Sequence, residues 1–168
     1  GVRSPIVIAS PVRLPTYAEV EAEYAREGYR EARDAFVMIQ AERPAWKTDP
    51  SVRMETSGDL RADPPAGTHR IFNVFGSYRW RWGSQAVTWR FTVAEAGLYR
   101  ISMKALQNYK NGLPSVRRVA IDGAVPFSEL EEVWFPDVRQ AQLVTLGDGT
   151  KPYLFRLEPG EHTITLSV

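Results

Sequence analysis

From Ala86 to Lys104 the chain alternates apolar and polar side chains in two runs. Val87, Trp89, Phe91 and Val93 interleave with Ala86, Thr88, Arg90 and Thr92, and Tyr99, Ile101 and Met103 interleave with Arg100, Ser102 and Lys104. A period of two turns one set toward a core and the other toward water, so each run predicts a half-buried strand. Ala94-Glu95-Ala96-Gly97 between them predicts a compact turn and a hairpin. The pattern returns twice. Val119-Ala120-Ile121 is stopped by Asp122-Gly123, and Tyr153, Phe155 and Leu157 alternate with Leu154 and Arg156 before Glu158-Pro159-Gly160 turns the chain into His162–Val168. These runs predict an all-β fold, an antiparallel two-sheet β-sandwich whose core holds Val87, Trp89, Phe91, Tyr99, Ile101, Ile121, Phe155, Leu157, Ile164 and Leu166.

Upstream the period changes. Thr16-Tyr17-Ala18-Glu19 has the spacing of a capping box, which predicts a helix from Tyr17 to about Glu27. Tyr17, Val20 and Tyr24 fall on one stripe, with Glu19, Glu23 and Arg26 facing water. A helix this short is marginal alone, so its stripe must pack on the sandwich. Its mostly acidic polar face has the wrong sign for an anionic membrane surface. Gly1–Pro15, with Pro5, Pro11 and Pro15, reads as an extended arm, so residues 1–35 are an arm and packing helix and residues 36–168 the sandwich. Phe36-Val37-Met38-Ile39-Gln40-Ala41-Glu42 predicts the first strand of that sandwich. Arg43 to Tyr78 is rich in Pro, Asp, Ser and Gly without a sustained period, which predicts loops with short strands. A long irregular connection of this kind is more often functional than accidental.

The 168 residues, 43% hydrophobic and 24% charged, fit one domain with a sizeable core. Twenty-one basic residues against 20 acidic ones leave a net charge of +1, so no global field draws nucleic acid or an acidic membrane. The absence of cysteine excludes disulfides, thiolate metal sites and cysteine nucleophiles. His69 and His162 have neither metal-ligand spacing nor triad context, and His162, in a turn, is expected in solvent. No Gly-rich phosphate loop occurs, and no apolar run approaches the ~20 residues that span a bilayer. Glu131, Glu132 and Asp137 carry no spacing that defines a glycosidase pair. Nothing points to an enzyme.

Aromatic residues carry the candidate chemistry. Flat rings bind the apolar faces of sugars, while Arg, Asn and acidic groups bond to hydroxyls. Ser77-Tyr78-Arg79-Trp80-Arg81-Trp82-Gly83 alternates rings with arginine. Two placements are open for Tyr78, Trp80 and Trp82: a sugar platform with Arg79, or the buried face of a strand whose other face carries Arg79 and Arg81. Trp89 belongs to the core. Gln107–Gly112 predicts a loop at one end of the sandwich, where Asn108 and Tyr109 offer an amide and a phenol for hydroxyl recognition, and Asn111-Gly112 is also a plain turn signal. Trp134-Phe135-Pro136 predicts a further aromatic loop, with Phe135 suited to tuck beneath the sheet.

The ordered set Trp89-Arg-Phe-Thr-Val93, Ala96-Gly-Leu-Tyr-Arg-Ile101, Arg118-Val-Ala-Ile-Asp-Gly123, Val125-Pro-Phe127, Tyr153-Leu-Phe-Arg-Leu157 and Pro159-Gly-Glu-His-Thr-Ile-Thr-Leu166 resembles the galactose-binding-like jelly roll of non-catalytic carbohydrate-binding modules. More narrowly, it resembles the amino-terminal module of large extracellular solute-binding proteins of bacterial ABC-type sugar transport systems. The resemblance covers roughly Phe36 to Val168. It implies a jelly-roll β-sandwich with a short N-terminal helix, monosaccharide or oligosaccharide as ligand, and a solute-binding domain or permease as partner. It also implies an extracellular, cell-surface or periplasmic location, tethered to the membrane through a segment outside this chain, of which these residues are an excised part. The alternative is a structural module of the same fold that positions the solute-binding domain and has no sugar site. Related modules carry Glu-Ala-Glu at a structural calcium site. Gln40-Ala41-Glu42 keeps only the second acid, which leaves Glu42 as calcium ligand or as a solvated or salt-bridged carboxylate.

Overall fold

The turns that the alternation predicts are formed, but two of them join different sheets. In the computed structural model, which describes residues 13–33, 35–65, 67–69, 71–109 and 111–168, helix α1 (Tyr17–Glu27) precedes strands β1 (Trp46–Lys47), β2 (Met54–Glu55), β3 (Val74–Phe75), β4 (Ala86–Val93), β5 (Gly97–Arg100), β6 (Ser102–Ala105), β7 (Ser115–Ile121), β8 (Val133–Phe135), β9 (Gln142–Thr145), β10 (Leu154–Leu157) and β11 (Gly160–Ser167). The predicted arm over residues 1–12 lies outside the described residues. One sheet has the order β1-β4-β11-β7-β8, with antiparallel neighbours throughout. Across the core from it, β5 pairs with β10 and β6 with β9. Among the described residues the fold is an all-β antiparallel sandwich with one short α-helix.

Ala94–Gly97 and Glu158–Gly160 are therefore arches that carry the chain from one layer to the other, not hairpins. Both strands at each arch still aim their apolar sets at the same core, which is why alternation alone cannot tell the two turns apart. Val87, Trp89, Ile121, Phe155, Leu157, Ile164 and Leu166 are buried, and Phe91, Tyr99 and Ile101 pack against them half-buried. Leu146 N–H donates to Ile101 O at 3.0 Å and Tyr153 N–H to Leu146 O at 2.8 Å. Strands β9 and β10 thus continue one path beside β5 and β6, interrupted by an excursion over residues 147–152. That excursion closes so tightly at Gly147 that a Cβ there would strike the Lys151 carbonyl. Asp148 stiffens it by accepting from the Lys151 and Thr150 backbone and the Thr150 hydroxyl, which hold its carboxyl pKa at about 2.

The helix docks as its stripe requires. Thr16 and Glu19 form the capping box, and the Glu129 carboxylate, 112 residues away, accepts from Tyr17 N–H at 2.9 and 3.0 Å. A carboxylate at a helix N-terminus satisfies free amides and complements the helix dipole. Tyr17 and Val20 are buried and Tyr24 packs half-buried beside them. The Tyr17 ring lies 4.5 Å from Tyr153 and 5.0 Å from Phe127, and its hydroxyl accepts from Leu154 N–H at 2.9 Å. After the helix, residues around Glu31 form a parallel bridge to Leu98.

The predicted strand at Phe36–Glu42 is not formed. Phe36 is 82% exposed and Met38 62%. The free edge of β4 is taken by β1, and β5 is bridged by the segment at Glu31, so the apolar run finds neither edge to join. The irregular span that follows is held by side chains in place of ladders. Buried Asn73 bonds to Ser57 N–H, Ser57 O and Pro64 O, and Asp59 accepts from Arg61 and Ala141 N–H.

His162 departs from its expected exposure, since its side chain is only 12% accessible. Its Nδ1 pairs with Asp122 Oδ2 and its Nε2 with Glu158 O, both at 2.7 Å. Burial alone lowers the imidazole pKa, but the Glu158 carbonyl and the Asp122 carboxylate more than offset it and hold the value above that of a free histidine. The stabilisation is complete below the unfolded pKa of about 6.5 and fades as pH rises through the higher folded value. Thermal melts should give a higher Tm at pH 6 than at pH 8.5. His162→Gln should flatten that difference, and a slope that survives the substitution would contradict the assignment.

Candidate functional site

The aromatic-arginine segment is not a strand. Gly76 takes φ +89°, a conformation that favours glycine, and a Cβ there would come within 2.9 Å of the Trp80 ring. Ser77–Arg79 then makes one turn of 3-10 helix, which breaks the two-residue parity on which a shared face for Tyr78, Trp80 and Trp82 depended. Trp80 turns inward, 6.0 Å from Trp89 and 6.5 Å from Phe75. Arg117 also fastens it, its guanidinium 5.0 Å from the ring and donating to Trp80 O at 2.7 Å. Burial lowers the Arg117 pKa to about 10, which leaves it protonated at neutral pH. Trp80 is half-buried and packs against the core, so it takes the inward placement without lying on a strand.

Trp82 points the other way and is 62% exposed. The Arg81 guanidinium lies 4.9 Å from its ring and 5.7 Å from that of Tyr109, and donates to Tyr109 Oη at 3.1 Å. Tyr109 is 59% exposed, with Asn108 exposed beside it. Two rings and a cation between them form an amphipathic platform, apolar on the ring faces and donor-rich at the guanidinium. Arg81 is the member that the alternating pattern assigned to a strand's polar face and not to the sugar platform, although it stands between Trp80 and Trp82.

Glutamine side chains set both loops. Gln85, 2% exposed, accepts from Arg81 N–H at 2.8 Å and Trp82 N–H at 2.9 Å through Oε1, and its Nε2 donates to Asp49 Oδ2 at 2.8 Å. Gln107 accepts from Tyr109 N–H at 3.0 Å and donates to Leu113 O at 2.8 Å. Asn111 and Gly112 occupy positive φ in the turn that follows Tyr109, and Asp137 Oδ2 accepts from Gly112 N–H at 2.6 Å. Neither glutamine stands out in the sequence, because an amide that bonds to loop backbone has no periodicity.

The other candidates lie apart. Tyr78 is exposed beneath the Arg79 guanidinium at 4.9 Å, and Arg79 is engaged by Glu55 at 3.1 Å. Trp134 belongs to β8 and not to a loop. It is paired opposite Val116 and is 62% exposed, while Phe135 beside it is buried as expected. Glu42 is half-buried, and among the described residues no three His, Cys, Asp or Glu side chains gather to hold a metal ion.

No family model matches the sequence, and no curated protein matches it. Solved structures do. A Podospora anserina GH26-CBM35 β-(1,4)-mannanase matches with a TM-score of 0.53 at 21% identity, over 80% of this chain and 24% of its own. A Paenibacillus cycloisomaltooligosaccharide glucanotransferase complexed with cycloisomaltoheptaose matches with a TM-score of 0.54 at 20% identity, over 90% of this chain and 20% of its own. This chain spans about a quarter and a fifth of those proteins, and at such identity the likeness is one of fold.

The opposite orientations of the two tryptophans separate in stability measurements. Trp80→Ala empties core volume and should cost about 3–5 kcal/mol, whereas Trp82→Ala should stay within about 0.5 kcal/mol, as at other surface positions. Gln85→Ala strands two loop N–H groups and should cost about 1–3 kcal/mol. Chemical denaturation reads all three, and equal losses at Trp80 and Trp82 would refute the orientations.

Proposed function

We propose that this chain is a carbohydrate-binding module that captures saccharide reversibly on the platform of Arg81, Trp82 and Tyr109 and catalyses no reaction. The observation that carries the proposal is that platform itself, two exposed rings bridged by a guanidinium on loops that buried and half-buried amides hold in place. Ring faces desolvate the C–H face of a pyranose, and Arg81 and Asn108 donate to its hydroxyls. The fold likeness to a mannanase that carries a carbohydrate-binding module, and to an enzyme complexed with a cyclic oligosaccharide, supports a saccharide as ligand. Its setting is an accessory role in an extracellular sugar-binding protein of an ABC-type transporter, outside the membrane, with the solute-binding domain or permease as partner. That setting is supported by the sequence resemblance over residues 36–168.

Calorimetric titration with soluble manno- and gluco-oligosaccharides tests the site. Trp82→Ala and Tyr109→Ala should each weaken binding by about 1–2 kcal/mol, the scale of removing one aromatic ring from a desolvated binding surface. Trp134→Ala should leave the affinity unchanged. Wild-type affinity in the Trp82 and Tyr109 variants would remove the platform from the site, and no binding across the panel would favour the structural module.

A further inference from the structure

We propose that the outer face of the five-stranded sheet is a second binding surface, a platform edged by two exposed tryptophans for an extended, uncharged polysaccharide chain. The proposal rests on reading the chain as a saccharide-binding module, but it uses none of the residues of the Arg81, Trp82 and Tyr109 site.

Directly opposed residues of antiparallel strands share a face. The registers therefore place Trp46, Thr88, Thr165 and Ala120 in one row across β1, β4, β11 and β7. Ala86, Ser167 and Arg118 form the next row, and Val116 with Trp134 closes the far edge. The opposite parity, Val87, Trp89, Val119, Ile121, Phe135, Ile164 and Leu166, is the buried face. Trp46 and Trp134 thus stand at the two edges of the outer face, 59% and 62% exposed, and neither joins the core. Apart from Arg118, the floor between them consists of short side chains, with the Thr88 and Thr165 hydroxyls bonded to each other at 2.8 Å.

Charge and dimensions select the occupant. Arg90 on this face is paired with Glu161 at 3.3 Å, which leaves Arg118 as the cation without a pairing among the described residues. Such a balance suits a neutral, hydroxyl-rich ligand and not nucleic acid, which requires several free cations. Four strand spacings of about 4.8 Å set the rings roughly 19 Å apart across the sheet, and a four-residue offset adds about 13 Å along it. No single sugar reaches both, whereas an extended chain does. The face measures on the order of 500 Å², short of the ~800 Å² per partner of a standard protein interface, and its floor is hydroxylic, so a second copy is a poorer fit.

The test is depletion from solution by two insoluble neutral polysaccharides, microcrystalline cellulose and insoluble mannan, using the whole chain. Wild type should be retained by at least one of them. Trp46→Ala and Trp134→Ala should each lower the partition constant about tenfold, and the double variant should abolish retention. Thr165→Arg, which blocks the floor and removes no ring, should do the same. Trp46→Tyr and Trp134→Tyr should keep most of the binding, and Trp82→Ala should be retained like wild type while binding soluble oligosaccharides more weakly. Failure of wild type to bind either solid, or unchanged retention of the double variant, would overturn the platform and leave the Trp82 site standing. Loss of soluble binding alone would do the reverse.

Discussion

Arg81 and Trp82 can present themselves to solvent because their backbone amides have a partner inside the protein. The loop from Trp80 to Gln85 leaves the sheet pattern, and an amide that leaves a ladder must be bonded elsewhere or lose free energy. Gln85 supplies that bond to both residues from a buried position, and Asp49 fixes its amide in turn. Its backbone ties the same point to Trp82 O and to Val168 N–H at the end of the large sheet. Trp80 is drawn into the core on one side of this knot and Trp82 is turned out on the other. Gln107 does the equivalent for the Tyr109 loop. The two loops meet at Arg81 as parts of a supported scaffold, the arrangement that recognition surfaces require.

The layers of the sandwich were legible in the sequence because burial writes a period of two. The β4, β5, β7, β10 and β11 runs and their core residues follow from alternation, and the helix follows from Thr16, Glu19 and one stripe. Connectivity was not legible. Ala94–Gly97 and Glu158–Gly160 look like hairpin turns, yet each passes between layers, since both solutions bury the same side chains. Phe36–Glu42 opens on an apolar run of strand length and remains unpaired, because strand formation needs a vacant edge and a local pattern does not record edges. His162 was misplaced for a similar reason, as Asp122 is 40 residues away in sequence.

The candidate site was legible in composition and only partly in geometry. Trp82, Asn108 and Tyr109 come together, whereas Trp80 and Trp134 do not, and parity could not decide between the tryptophans once a 3-10 turn reset the phase at Ser77–Arg79. Trp134 acquires meaning only through register, which sets it on the same outer face as Trp46. The protein therefore offers rings to solvent in two places of different kind, a loop cluster with a cation and an outer sheet face edged by Trp46 and Trp134. The sandwich by itself implies no function; the functional reading lives in these side chains and in the amides that orient them.

The central claim is that saccharide meets the ring of Trp82 and not that of Trp80. The five indole N–H signals of this chain, from Trp46, Trp80, Trp82, Trp89 and Trp134, can be followed separately by two-dimensional NMR during titration with a soluble oligosaccharide. The Trp82 signal should shift in saturable fashion together with the backbone amides of Arg81 and Tyr109, while Trp80 and Trp89 stay fixed. Movement of Trp80 or Trp89 with a silent Trp82, or five unmoved signals across manno- and gluco-oligosaccharides, would contradict the account.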